Sequence, residues 1–209
     1  MKILIADDHE IVRRGLRDLL VKELGSVQVE EAGDSRTTME LLGKGPWDLI
    51  VLDINMPGRN GLEVLSEARR LCPKTPVLIL SMYPEEEFAL RAFKLGAAGY
   101  INKRSAASEL ITAVKKVMTG GKYVTSELAE KLAAVLSGEV SHEPHEILSA
   151  RELQVLRLIA MGKTMKEIAA ELALSEKTVA TYRARVAEKL GLSTNVELTR
   201  YAIRHRLAE

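Results

Sequence analysis

"LIVLDINMPGRNG", residues 49–61, is the stretch on which the reading of the whole chain turns. A run of β-branched and leucine residues passes without a polar break into Asp53, then Asn55, Pro57 and two glycines. Such a run has the composition of a strand buried on both faces. A carboxylate at its end is costly to bury without a partner. Either Asp53 caps the next turn, or the acid is the purpose of the segment.

Outward from this stretch, short apolar runs alternate with helical patterns. The runs are "KILIA" (2–6), "VQVEEA" (27–32), "DLIVLD" (48–53), "PVLILS" (76–81) and "AGYIN" (98–102). Helical periodicity occupies 10–23, 35–43, 61–71, 85–95 and 106–118. This alternation predicts an α/β doubly wound, five-stranded parallel sheet. A short helix (126–136) and a polar, proline-containing stretch (137–146) follow. From 148 onward the pattern is all-α, with helices expected near 150–161, 165–172, 176–190 and 195–206. The expected organisation is therefore a domain over 1–120, a linker with a short helix over 121–146, and a helical domain over 147–209.

Composition restricts the class. Hydrophobic content of 46% and charged content of 28% are ordinary for a soluble globular protein. No stretch approaches the roughly 18 consecutive apolar residues of a membrane span. The start, "MKILIADDHE", is too short in apolar residues for a signal-peptide core. A single cysteine, Cys72, excludes an internal disulfide framework and fits a reducing compartment. A cytoplasmic protein with no membrane partner is expected. Residues 145–209 carry 11 Lys and Arg against 8 Asp and Glu, while 1–144 hold 19 against 21. So mild an asymmetry does not by itself establish nucleic-acid binding.

In open α/β sheets, ligand sites form beyond the carboxyl ends of the strands. Asp7 and Asp8 follow the first run, Asp53 ends the third, Ser81 ends the fourth and Lys103 follows the fifth. With the first and third strands adjacent, three carboxylates converge on one edge. Like charges so close raise one another's pKa unless a cation balances them. An all-oxygen, acid-rich cluster suits Mg²⁺ better than Zn²⁺. A hydroxyl and an ammonium on the opposite side suit a phosphoryl group, with Asp53 as its acceptor. Taken singly, Asp8 reads more readily as a helix cap, Asp53 as a turn residue and Lys103 as a solvated side chain. At the same end of four strands, the combination is improbable by chance.

"IADDHEIVRRGL", "DLIVLDINMPGRNGLEVL", "VLILSM" and "GAAGYINK" resemble the receiver domain of two-component response regulators, a flavodoxin-like fold, over about residues 1–120. The resemblance implies that Asp53 accepts phosphate from a sensor histidine kinase. It implies that Asp7, Asp8, Asp53 and the backbone carbonyl of Asn55 hold Mg²⁺, and that Ser81 and Lys103 contact the phosphoryl oxygens. Tyr100 stands where the family has its switch aromatic, and is expected to swing inward as Ser81 moves. Arg104 departs from the family, where proline often follows the lysine.

"LSARELQVLRLIAMGKTMKEIAAELALSEKTVATYRARVAEKLGL" resembles the LuxR-type helix-turn-helix domain of the NarL/FixJ subfamily. Helical spacing turns Ile168, Ala169 and Leu172 inward, and Val179, Val186 and Leu190 in the next helix. Ser175, with Thr178 three residues on, reads as the N-cap of that helix. Its outer face offers Lys177, Ala180, Thr181, Ala184, Arg185 and Lys189. Thr178 and Arg183 join them as candidate DNA contacts. A helix of this kind enters the major groove, with cations on phosphates and small residues near thymine methyls. An isolated basic helix would more readily be a solvated face; the complete pattern favours double-stranded DNA. Met165, Ala180 and Tyr182 depart from the residues the family often has there, which bears on base preference. The resemblance further implies a receiver that covers the DNA-binding domain until phosphorylation releases it to form a homodimer. Val196, Leu198, Tyr201, Ala202 and Ile203 are expected to supply the dimer contact.

Other signals are weaker. His142 and His145 have metal-pair spacing, but a solvated linker explains them better. Cys72 before Pro73 reads as a helix end, and the glycine pairs 58/61 and 120/121 lack a phosphate-loop spacing. A haloacid-dehalogenase-type phosphatase also uses an aspartate nucleophile, but needs a second acid two residues on. Asn55 stands there, so an enzyme of that kind lacks its proton donor. A receiver that works without phosphate is disfavoured by intact Asp8, Asp53, Ser81 and Lys103.

Overall fold

The computed structural model describes residues 1–56, 59–82, 85–136 and 144–208. It divides into two units, Met1–Glu139 and Val140–Glu209.

In the first unit, β1 (Lys2–Ala6), β2 (Gln28–Ala32), β3 (Leu49–Asp53), β4 (Val77–Ser81) and β5 (Gly99–Asn102) form one sheet in the order β2-β1-β3-β4-β5. Every pairing is parallel. Helices α1 (Glu10–Leu24), α2 (Ser35–Leu42), α3 (Gly61–Leu71), α4 (Glu85–Lys94) and α5 (Ala106–Met118) connect them. This is the doubly wound sheet the alternation predicts. β3 and β4 are buried at every position, as uninterrupted apolar runs require. Alternate residues such as Ile5, Val51, Leu80 and Ile101 meet Leu20 of α1 and Leu110 and Val114 of α5. Packing of this kind leaves little freedom at the strand ends, and that rigidity positions the site.

β5 is an edge strand, and edges need protection. Tyr123 supplies it by bridging to Gly99, its amide donating to the Ala98 carbonyl at 2.9 Å. A Cβ at Gly99 would lie 2.7 Å from Leu78 Cδ2 and 2.9 Å from Tyr123 Cβ, so only glycine admits this approach. α6 (Ser126–Leu136), the short helix expected in the linker, packs against α4 and lies within the first unit.

The second unit holds a 3-10 turn (Pro144–Ile147) and α7 (Ala150–Ala160), α8 (Met165–Glu171), α9 (Glu176–Leu190) and α10 (Asn195–Arg204). Capping boxes start three of them: Ser149 with Glu152, Thr164 with Glu167 and Thr194 with Glu197. Ser175 caps α9 by accepting from the Thr178 amide at 3.1 Å, as its sequence position suggests. Ile168, Ala169, Leu172, Val179 and Val186 are buried; Leu190 is only half-buried. α10 differs from expectation. Leu198 and Ala202 are fully buried, leaving Val196 and Ile203 as its exposed apolar residues. The helix therefore has less spare apolar surface than its sequence suggests.

Candidate functional site

At the carboxyl end of the sheet, Asp7 follows β1, Asp53 closes β3 and Lys103 follows β5. The side chains of Asp7 and Asp53 are fully buried, and that of Lys103 is 5% exposed. Lys103 Nζ stands 2.7 Å from Asp7 Oδ2 and 2.8 Å from Asp53 Oδ2. A solvated Lys103 is thereby excluded. Burial pushes the Asp53 carboxyl up to about 6, with the Asp7 charge adding to the rise and Lys103 opposing it. Burial also opposes the charge on Lys103, but Asp53 and Asp7 outweigh it and hold the ammonium above its ordinary value. The network is mutually dependent: each charge is tolerable because the others are present.

Asp53 also shapes its own turn, since its Oδ1 accepts the Asn55 amide at 3.0 Å. The turn role and the site role coincide. Asp8 does not cap α1; the N-cap is His9, which makes no side-chain capping bond. Asp8 Oδ1 instead lies 2.6 Å from His9 Nδ1. Ligand atoms of Asp7, Asp8, His9 and Asp53 all lie within 4.8 Å of one another. Among the described residues, Asp7 Oδ2 is held by Lys103 alone, 2.7 Å away. Three carboxylates gathered at one edge, served by the single ammonium of Lys103, are a donor set that fits a hard divalent cation.

Neighbouring residues hold the cluster. Arg13 Nη1 donates to the Asp7 carbonyl at 2.6 Å. Gly61 opens α3, and a Cβ there would stand 2.2 Å from the Asp53 carbonyl oxygen. Asn60 caps α3 by accepting the Leu62 amide at 2.8 Å. Gly58 and Pro57 of the opening stretch lie outside the described residues. Ser81 is fully buried, and its carbonyl accepts the Lys103 amide at 2.7 Å. Tyr100 is also fully buried, so its ring is already inside. Arg104, in place of the family's frequent proline, donates its amide to Asn102 Oδ1 at 3.0 Å, a bond proline could not make.

The second unit presents its candidates on α9. Lys177, Ala180, Thr181, Ala184, Arg185 and Lys189 are exposed, while Thr178 and Arg183 are half-buried. Two cations have structural duties that spacing could not reveal. Arg183 donates to Asn195 Oδ1 at 3.0 Å and to the Ser193 carbonyl at 2.6 Å. Lys189 Nζ lies 2.6 Å from Glu152 Oε2, in the capping box of α7. Burial works against the Glu152 charge, but hydrogen bonds from Lys189 and Ser149 hold its carboxyl below the ordinary value. Thr181 bonds back to the Lys177 carbonyl at 2.9 Å. His142 lies outside the described residues. His145 Nδ1 stands 3.2 Å from the Tyr201 hydroxyl, with the His205 ring centroid 5.5 Å away. Sequence reasoning missed His9, Arg13, Gly61 and this histidine–tyrosine cluster. Only the "DDH" adjacency could have flagged the first.

A doubly wound sheet with an acidic carboxyl end, followed by a helix-turn-helix unit, defines a signal-receiving regulator that binds DNA. The model described as response regulator receiver domain matches residues 3–115, and that described as bacterial regulatory proteins, luxR family, matches 146–202. Response regulator UvrY of Escherichia coli K12 is 35% identical, over 99% of this chain and 95% of its own. Response regulator GacA of Pseudomonas aeruginosa is 33% identical, over 100% and 98%. RcsB from Salmonella enterica serovar Typhimurium, bound to promoter rprA with the phosphomimetic BeF₃⁻, superimposes with a TM-score of 0.64. Its sequence is 29% identical, with 96% of this chain and 98% of that one covered. The chain belongs to the NarL/FixJ family of two-component response regulators. It is a transcription factor with a LuxR-type DNA-binding domain, and the family comprises regulators rather than enzymes. No helix among the described residues is long and apolar enough to cross a membrane.

Proposed function

We propose that this regulator is switched by phosphoryl transfer to Asp53 from a sensor histidine kinase. What carries the reading is the buried pair of carboxylates, Asp7 and Asp53, sharing Lys103 at 2.7 and 2.8 Å. An oxygen of Asp53 bonds to phosphorus as the phosphorus–nitrogen bond to the kinase histidine breaks, the electron pair leaving with the imidazole. Asp7, Asp8, Asp53 and the Asn55 carbonyl would hold Mg²⁺, which when bound balances the negative charge of carboxylates and phosphoryl oxygens. Lys103 then donates to the phosphoryl oxygens, with the Ser81 hydroxyl as a second donor. The modification adds roughly −1.5 to −2 of charge at a buried position. Ser81 and Tyr100 respond as the switch pair. Because Tyr100 is already buried, the rearrangement repacks a ring held inside the unit.

Phosphorylation promotes homodimerisation, so that two copies of α9 meet half-sites about one helical turn (~34 Å) apart. Val196 and Ile203 are the apolar residues α10 has available for that contact. Lys177, Thr178, Ala180, Thr181, Arg183, Ala184, Arg185 and Lys189 line the DNA side, Lys177 and Arg185 as exposed phosphate contacts. A coupling of ~1–3 kcal/mol suffices to change operator occupancy many-fold.

Mass spectrometry after treatment with a small phosphodonor tests the central step. One adduct is expected, dependent on Mg²⁺. An equal adduct on Asp53→Asn, or full labelling in excess chelator, overturns the assignment.

A further inference from the structure

We infer that Arg13 is a positioning residue for the divalent-cation site, acting through the peptide that joins Asp7 to Asp8. This rests on the metal reading of Asp7, Asp8 and Asp53 given above. A peptide unit is planar, so whatever holds the Asp7 carbonyl also sets the direction in which the chain enters Asp8. Arg13, in the first turn of α1, holds it: Nη1 donates to that carbonyl at 2.6 Å, a charge-assisted bond. The same guanidinium leans on β2. Its Nε lies 3.3 Å from Glu31 Oε2, and Arg17 Nη1 meets the other Glu31 oxygen at 3.0 Å. On the other side of Asp7, its amide donates to the Ala32 carbonyl at 3.0 Å. β2 thus fixes Asp7 twice, by backbone before it and through Glu31 and Arg13 after it. The two acids differ in what else holds them. The Asp7 carboxylate is fully buried and has Lys103 and the His9 amide, at 2.7 and 2.8 Å. Asp8 is 29% exposed and paired with the 61% exposed ring of His9, so it depends more on the backbone for its direction. Arg13 therefore acts chiefly on Asp8.

Charge alone predicts the opposite sign. A guanidinium beside a dication site repels the dication, so removing it as a charge would tighten Mg²⁺ binding. Removing it as a support loosens Asp8 and weakens Mg²⁺ binding. Calorimetric titration of the full-length protein with Mg²⁺, beside initial rates of phosphodonor labelling over a Mg²⁺ series, reads that sign. In Arg13→Met the Mg²⁺ dissociation constant and the half-saturating Mg²⁺ should both rise about tenfold, with the labelling rate at saturating Mg²⁺ nearly unchanged. Glu31→Gln should move both the same way by less. Arg13→Lys keeps the charge but not the fork that spans Asp7 and Glu31, so it should recover only part of the affinity. Added to Asp8→Asn, Arg13→Met should cost little more, because the carboxylate it directs is already gone. Arg14→Met is the control, since Arg14 is 64% exposed and pairs with Glu10 at 2.6 Å. Titration well below each melting midpoint keeps loss of fold out of the comparison. Unchanged or tighter Mg²⁺ binding in Arg13→Met overturns the inference while leaving the metal site intact. Should that variant not fold, unchanged binding in both Glu31→Gln and Arg13→Lys overturns it. Losses that add in full in Arg13→Met/Asp8→Asn also overturn it, because Arg13 would then act elsewhere than through Asp8. If the wild type binds no Mg²⁺, the metal reading itself fails and the inference falls with it.

Discussion

The carboxyl end of the sheet and the outer face of α9 both hold charge, but in opposite ways. Asp7, Asp53 and Lys103 are 0%, 0% and 5% exposed, and each keeps the others tolerable out of water. On α9, Lys177 and Arg185 stand in solvent and need no partner to exist there. The first arrangement is preorganised and fragile, because removing one member strands another. The second is robust, because exposed cations contribute separately to an encounter with phosphates. Arg183 and Lys189 blur the contrast, since both spend hydrogen bonds on their own fold.

The largest effect should come from crowding the preorganised end. Gly61→Ala places a methyl 2.2 Å from the Asp53 carbonyl and 2.6 Å from Ile54 Cα, both backbone atoms that cannot swing aside. Overpacking of this kind costs ~3 kcal/mol. Phosphodonor labelling of Asp53 should fall steeply with it. Gly15→Ala is the control, because nothing lies within 4 Å of its added methyl in the middle of α1. That change should stabilise by up to about 1 kcal/mol. Equal melting temperatures for the two variants would dissolve the claim that the site end is rigid.

Next in size is Lys103→Met, which leaves Asp7 and Asp53 buried without their cation. A loss of ~2–3 kcal/mol is expected near neutral pH, part of it recovered by Lys103→Met/Asp53→Asn. Denaturant titration of both variants measures this. A double variant no more stable than the single would show that the charges are not coupled.

How much of this was legible in the sequence follows from the same contrast. Strand and helix spans agree to within two residues at each end, because apolar runs and helical periods are local signals. The acids were legible because parallel topology brings the ends of β1, β3, β4 and β5 together, whatever their spacing along the chain. Gly61 was not, because its reason is a non-local approach to Asp53. Nor was the duty of Lys189, whose partner Glu152 comes from another helix. α10 misled because five apolar positions do not disclose which of them the neighbouring helices already use; Leu198 and Ala202 are spent inside.

A smaller effect, and one dependent on pH, belongs to the second unit. Glu152 is buried, closes the α7 capping box and accepts from Lys189. Its folded carboxyl lies below the ordinary value, so it contributes stability above the unfolded pKa of 4.5 and loses it as pH falls through the folded one. Glu152→Gln should cost ~1–2 kcal/mol at neutral pH and flatten the acid limb of the stability curve below about pH 4.5. Thermal unfolding between pH 3 and 7 checks it. An acid limb as steep as the wild type's would mean that another carboxylate governs it.

The smallest effect separates the two kinds of cation on α9. Arg185 is exposed, with its guanidinium 6.0 Å from the Tyr182 ring centroid. Arg185→Ala should leave the melting temperature within experimental error, weaken binding to all duplexes alike and reduce the salt slope by about one. Lys189→Ala removes the partner of a buried carboxylate, so it should lower the melting temperature by the equivalent of ~1 kcal/mol. If Lys189 also touches phosphate, its DNA affinity must fall further than the destabilised fraction explains. Fluorescence anisotropy across a salt series, run beside thermal melts of both variants, reads the two effects apart. Should Arg185→Ala destabilise and Lys189→Ala change only the salt slope, the assignment of structural and DNA-facing cations on α9 would be reversed.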